Sequence, residues 1–181
     1  MRIVAGEWRG RKLIAPKGEA TRPTADRTRE TLFSMLASRL GSFDDLSVAD
    51  LFAGSGALGL EALSRGARHC LFVEQDKPAL DAIRANVAAL DARARCTVSA
   101  GSVMGLGPAK APHDLILLDP PYATGAANVA LDRLLRLGWI GEATWIAVET
   151  GGKESVEIRS LHVDTQRKVG KAKLTLLRLA D

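Results

Sequence analysis

From Leu46 onward, short apolar runs take turns with stretches of helical periodicity: LSVADLF, GALGLEALSRG, HCLFVEQ, DKPALDAIRANVAAL, CTVS, DLILLD, NVALDRLLRLG and TWIAVE. Few folds accommodate that alternation. Helices that cross over between strands running the same way produce a parallel sheet covered on both faces, which predicts an α/β architecture. Asp76 is placed to N-cap its helix, and Pro78 is tolerated in the first turn. The final stretch, LHVDTQRKVGKAKLTLLRL, breaks the alternation and reads as an antiparallel hairpin turned near Gly170.

The first 45 residues do not follow this pattern. RIVAGEWRGRKLIAP reads as a hairpin of two short strands around a glycine-containing turn. A helix follows Pro23, with Thr24 as its N-cap, Asp26 in the first turn, an apolar stripe of Leu32, Phe33, Leu36 and Leu40, and Gly41 as its stop. Residues 1–30 carry eight basic groups against four acidic ones, an excess equal to the whole chain's formal charge of +4. A basic leader on a neutral body points to a polyanionic partner. A length of 181 residues fits one domain, divided into a basic extension over 1–45 and a core over 46–181. No apolar run approaches a membrane span and MRIVAGEWRGRK has no signal-peptide core, so the expected location is the cytoplasm. Cys70 and Cys96 form no CxxC and read as buried thiols.

An open parallel sheet binds ligands beyond the carboxyl ends of its strands. Asp50, Glu74, Asp119 and Glu149 fall at or near those ends; His69 and His113 fall at the opposite ones, and His162 lies in the tail. No metal-ligand cluster is legible. After the first core strand comes Gly54-Ser55-Gly56-Ala57-Leu58-Gly59, a full GxGxxG, which by itself would indicate a dinucleotide with Glu74 or Asp76 on the ribose. Asp50, four residues before Gly54, argues against a pyrophosphate there and for a cationic ligand such as S-adenosylmethionine. The competing reading pairs Asp50 with Arg22 or Arg27.

LILLDPPY, Leu115 to Tyr122, carries the chemistry. An exocyclic amine on a nucleobase is a poor nucleophile because its lone pair is delocalised into the ring. Methylating it takes acceptors that hold the N–H groups and let the nitrogen rehybridise. Asp119 offers a carboxylate, Pro120 offers a carbonyl whose direction the rings of Pro120 and Pro121 restrict, and Tyr122 offers a stacking surface. Stacking worth roughly 1–3 kcal/mol is of the same order as unstacking a base.

These residues carry a resemblance. VADLFAGSGALGLEALSRGA, FVEQD and LLDPPY resemble a class I S-adenosylmethionine-dependent methyltransferase acting on an amino group. AGEWRGRKL and TRPTADRTRETLF in the leader are similar to the bacterial 16S rRNA guanine-N2 methyltransferases of the RsmD family. The resemblance implies a Rossmann-like, mostly parallel sheet of about seven strands with a C-terminal hairpin and a short N-terminal extension. It implies S-adenosylmethionine held by Asp50, Phe52, Ala53, Gly54, Ser55, Gly56, Glu74, Gln75 and Asp119, with Ser102 or Val103 reaching the adenine through the backbone. It implies Asp119, Pro120, Pro121 and Tyr122 as the methylating site. Arg22, Thr24, Asp26 and Arg27 would stand near the pocket mouth; Arg9, Arg11, Lys12, Arg22, Thr24, Arg27 and Tyr122 would meet the RNA. Trp8 has two readings, base stacking or packing within the hairpin. The expected partner is 16S rRNA, free or in the small ribosomal subunit, with the enzyme a monomer that needs no metal. Adenine N6 of DNA or another RNA remains the nearest alternative substrate, and an NAD-dependent oxidoreductase a remote one.

Overall fold

The computed structural model describes residues 1–17 and 23–181, with the side chains of Pro23 and Thr24 left aside. Its centre is one seven-stranded sheet. In chain order the elements are α1 (Pro23–Leu40), β1 (Ser47–Leu51), α2 (Ala57–Ser64), β2 (His69–Glu74), α3 (Lys77–Ala89), β3 (Cys96–Ala100), β4 (Leu115–Leu118), α4 (Ala126–Arg136), β5 (Trp145–Gly151), β6 (Leu161–Val169) and β7 (Ala172–Leu179). The strand order is β3-β2-β1-β4-β5-β7-β6, so the chain winds one way from β1 and then back the other way from β4. Strands β3 to β5 in that order are parallel; β7 and β6 are antiparallel. The reversal between β1 and β4 opens the crevice in which such sheets bind ligands.

The apolar strands are apolar because both faces are covered. Leu115 and Leu117 face the core made with α1, α2 and α3, including Phe33, Leu60 and Ile83. Ile116 and Leu118 face the second core with Leu131 and Leu134 of α4. All four are fully buried, which fixes β4 rigidly in the middle of the sheet. Cys70 and Cys96 are register partners on β2 and β3 and remain free thiols; burial pushes both up, Cys96 to about 11.

The leader folds back on itself as expected, with short pairing: an antiparallel bridge joins Arg2 with Lys12, Ile3 N–H donates to the Arg11 carbonyl, Leu13 N–H to the Met1 carbonyl and Gly10 N–H to the Ile3 carbonyl. Other donors of the leader go elsewhere: Val4 and Ala5 donate to the two oxygens of Glu61, Trp8 to Ser64 Oγ, and Glu7 to the Ser64 carbonyl, all on α2. Gly6, at φ +89°, is required there, since a Cβ would stand 1.9 Å from the Ser64 oxygen. Trp8 is buried, with the Arg95 guanidinium over its ring, so its role is packing and base stacking is excluded. Helix α1 begins two residues early, at Pro23, so Thr24 lies in the first turn rather than at the N-cap. Proline's fixed φ suits that first position. The predicted stripe holds for Leu32, Phe33 and Leu36, with Leu40 partly buried. Among the described residues no helix is long and apolar enough to cross a membrane.

Candidate active site

A cleft of about 1510 Å³ lies over the carboxyl ends of the parallel strands, walled by the leader on one side and the β6–β7 turn on another. The glycine loop forms its floor. Strand β1 ends at Leu51, and the next residue, Phe52, takes φ +58°, an uncommon conformation for a bulky side chain. The surrounding structure holds it: Ala53 N–H donates to the Val73 carbonyl, and the Phe52 side chain packs against the α4-side core. The three glycines have separate tasks. Gly54, at φ +58°, has open space where a Cβ would be and lines the cleft. Gly56, also at positive φ, is the N-cap of α2 and does not line the cleft. Gly59 lets α2 approach the sheet, for a Cβ would be 2.5 Å from the Phe72 ring.

Asp50 is a correction. It was expected in contact with the donor, but it is 1% exposed, behind the loop. One oxygen accepts from Gly59 N–H at 2.9 Å and the other has no hydrogen-bond partner among the described residues. Burial pushes its pKa up to about 8, the Gly59 bond only partly opposing this, so near neutral pH it is mostly uncharged and offers a cationic ligand little. The native state therefore keeps a proton that the unfolded chain has lost between the ordinary carboxylate range and about pH 8. Stability falls as pH rises through that window. Asp50→Asn retains an acceptor for Gly59; it should match the wild type at about pH 4 and melt at higher temperature at about pH 8.5. Thermal melts across that range give the answer, and a slope identical in both proteins would contradict the assignment.

The negative charge in the cleft comes from elsewhere. Glu74, at the end of β2, accepts from Gly54 N–H at 2.8 Å with one oxygen and from the N–H groups of Gln75 and Asp76 at 2.9 and 2.8 Å with the other. A carboxylate has about four acceptor positions, and three are filled here, which leaves one for a ribose hydroxyl. Asp76 occupies the N-cap position of α3 as expected, but its side chain makes no capping bond and lines the cleft instead. Asp119 is exposed at the tip of β4, its N–H 3.4 Å from the Leu51 carbonyl. Pro120 is buried beneath it; the Pro121 carbonyl accepts from Thr124 Oγ1 at 2.9 Å.

Tyr122 is 46% exposed, and its hydroxyl donates to Glu149 on β5 at 2.8 Å. Desolvation and then the Glu149 charge push the phenol well up, so it stays protonated. The N–H of Ala123, itself at φ +59°, donates to Glu154. Two acids, Glu149 on β5 and Glu154 after it, thus hold the DPPY turn. Glu149 was recognisable only as an acid at a strand end, and nothing local announces its partner 27 residues away.

The cleft gathers Phe52, Ala53, Gly54, Ser55, Glu74, Gln75 and Val103, together with Asp119, Pro120, Pro121, Tyr122 and Arg27. Of the two residues expected to reach the adenine through the backbone, Val103 lines the cleft and Ser102 does not; the Ser102 hydroxyl accepts from Met104 N–H at 3.1 Å, capping a short 3₁₀ turn, and Gly101 on its other side lines the cleft. Arg9, Arg11 and Lys12 do not line it. The Glu7 contact to Ser64 and the Arg11 contact to the Ala89 carbonyl pin that turn to the last residues of α2 and α3, at the amino ends of the strands. Arg22 lies outside the described residues, as does the side chain of Thr24. Met1, Ala15 and Pro16 of the leader reach the cleft, a contribution no sequence pattern revealed.

The residues present fit S-adenosylmethionine. Carboxylates supply acceptors for a ribose diol and complement cationic groups, Phe52, Leu58, Val73 and Val103 offer apolar cover for a purine, and Gly54 leaves room for close approach. This sheet order, with its glycine loop, strand-end acid and DPPY turn, defines a class I S-adenosylmethionine-dependent methyltransferase.

A family model described as "Conserved hypothetical protein 95" matches residues 1–178. The ribosomal RNA small subunit methyltransferase D of Escherichia coli is 39% identical over 150 residues, covering 83% of this chain and 74% of its own length. Its Haemophilus influenzae namesake is 38% identical over 158 residues, covering 83% and 78%. The solved structure of yhhF from Escherichia coli superposes with a TM-score of 0.85 at 36% identity, covering 100% of this chain and 99% of that one. The chain belongs to the RsmD family.

Proposed function

We propose that this protein transfers a methyl group to the exocyclic N2 of a guanine in 16S rRNA. The observation that carries the reading is the placing of Asp119, the Pro120 backbone and Tyr122 in one cleft with the glycine loop and Glu74. Kinship with enzymes named for the ribosomal small subunit supports the substrate. When bound, S-adenosylmethionine supplies an electrophilic methyl group. Glu74 accepts from a ribose hydroxyl, and Gly54 and Ser55 line the donor's path. Tyr122, anchored by Glu149, stacks on a base turned out of the RNA. Asp119 accepts one amine N–H and receives the proton the nitrogen sheds; the Pro120 carbonyl holds the second N–H. Most of the acceleration comes from holding the two reactants in line. Arg27, at the cleft mouth, meets the backbone of the RNA. The enzyme works as a monomer in the cytoplasm.

A nicotinamide dinucleotide is opposed by the same geometry, because the Gly54 N–H of the loop that would receive its pyrophosphate is spent on the Glu74 carboxylate. The test is direct. Purified protein is titrated with S-adenosylmethionine and with NAD, then incubated with labelled donor and rRNA, and the RNA is digested to nucleosides. Binding of S-adenosylmethionine alone and label in N2-methylguanosine are expected. Label in adenosine would transfer the site to a different amine, and no label in any nucleoside would end the proposal.

A further inference from the structure

The β6–β7 turn carries a charge pattern that neither the fold nor the methyl-transfer chemistry requires. Between Arg167 and Lys173 four of seven residues are basic and none is acidic. Gly170 at φ +58° and Lys171 are the two turn residues; positive φ at the first alone is the type II′ pattern, which keeps the hairpin tight to its tip. The register sets Lys168 directly opposite Lys173, two ammonium-bearing side chains on one face. Like charges directly opposite destabilise a strand pair. Arg167, opposite Leu174, points to the other face by the strand's period of two. None of Arg167, Lys168, Lys171 or Lys173 makes an ion pair with any described residue, although seven of the chain's other basic side chains do.

The position of the tip gives this charge its meaning. Val169, Gly170, Lys171 and Ala172 all line the cleft, across from Arg27 of α1. Gly152 N–H donates to the Lys171 carbonyl at 2.9 Å, which ties the tip to the segment that also holds the DPPY turn. Acids line the cleft; of the tip's cations Lys171 lines it, and Arg167, Lys168 and Lys173 flank that tip on the two strands just beyond. That arrangement suits a ligand whose reacting base is uncharged and whose flanks are anionic. The basic turn around Arg9 and Arg11, by contrast, faces the opposite end of the molecule.

We infer that the β6–β7 tip is the arm that grips the RNA, with Arg167, Lys168 and Lys173 binding phosphates that flank the base in the cleft. The inference rests on the proposed RNA substrate. Each phosphate contact contributes about 0.7–0.9 to the slope of log affinity against log salt.

The experiment compares the wild type with Arg167→Ala/Lys168→Ala/Lys173→Ala, with its Lys168→Arg/Lys173→Arg counterpart, and with Arg9→Ala/Arg11→Ala/Lys12→Ala. RNA affinity is measured over a salt series, and kcat/KM for rRNA and affinity for S-adenosylmethionine are measured beside it. The expected result for the tip variant is a salt slope smaller by about two, RNA affinity weaker by about tenfold or more, and donor affinity retained. The arginine variant keeps the slope, and the leader variant changes it less than the tip variant does. A wild type that methylates rRNA while the tip variant keeps its full slope and affinity overturns this inference alone. A wild type that neither binds nor methylates rRNA overturns the proposed function, and this inference with it. Melting curves establish that the substituted proteins are folded, as expected for side chains at a strand tip.

Discussion

Asp119→Ala is expected to lower methyl transfer by about 10²–10³-fold or more while S-adenosylmethionine still binds. The scale follows from what a positioned acceptor does for a nitrogen that must rehybridise. Strand β4 is buried on both faces between β1 and β5, so the residue after Leu118 has little freedom to move. Asp119 is exposed into the cleft from that rigid base, and the prolines behind it restrict the chain further. Its loss removes the acceptor without touching Glu74, Gly54 or the buried loop contacts. Calorimetry for the donor and single-turnover transfer to rRNA separate binding from chemistry. A variant that loses donor binding, yet transfers normally per bound donor, would make Asp119 a cofactor ligand and leave the amine without its assigned acceptor.

The sequence disclosed the sheet because it is written in contiguous runs. LILL can only be a strand covered on both sides, and the helical stretches between such runs dictate parallel pairing. The DPPY turn at the end of β4 was legible for the same reason, since it is local. What failed was anything settled by partners far along the chain. DLFAGSG puts an acid near the donor in one dimension, but in three the strand turns Asp50 under the loop toward Gly59. The leader reads as a hairpin and folds back as one, but nothing local shows that the donors of Val4, Ala5 and Trp8 within it are claimed by Glu61 and Ser64, more than fifty residues away. A basic count over residues 1–30 pointed to a polyanionic partner by average charge alone. Burial splits that count: Arg29 is 3% exposed and pairs with Asp26 and Glu61, and Arg27 remains at the cleft.

Glu61→Ala should cost roughly 3–5 kcal/mol of stability, the range for stripping one partner from a buried ionic network. Glu61 is fully buried on α2. One oxygen accepts from Val4 N–H at 2.9 Å and Arg29 Nε at 3.3 Å, the other from Ala5 N–H and Arg65 Nε, both at 3.0 Å. Arg29 in turn donates to the Arg2 carbonyl and to Asp26. One carboxylate therefore joins the leader, α1 and α2. Truncation strands two N–H groups in the leader and removes one of the buried Arg29's two anionic partners. At about 2–4 °C per kcal/mol for a chain of this size, melting should fall by about 6–20 °C. Glu61→Gln, which keeps the shape and one acceptor oxygen, should lie between. The leader supplies Met1, Ala15 and Pro16 to the cleft, so loosening it should also open residues 1–16 to limited proteolysis and weaken donor binding. A Glu61→Ala protein that melts within about 2 °C of the wild type and resists cleavage in the leader would mean that apolar burial of Ile3, Trp8 and Leu13 alone secures the leader, and that the buried acid serves only to satisfy its neighbours.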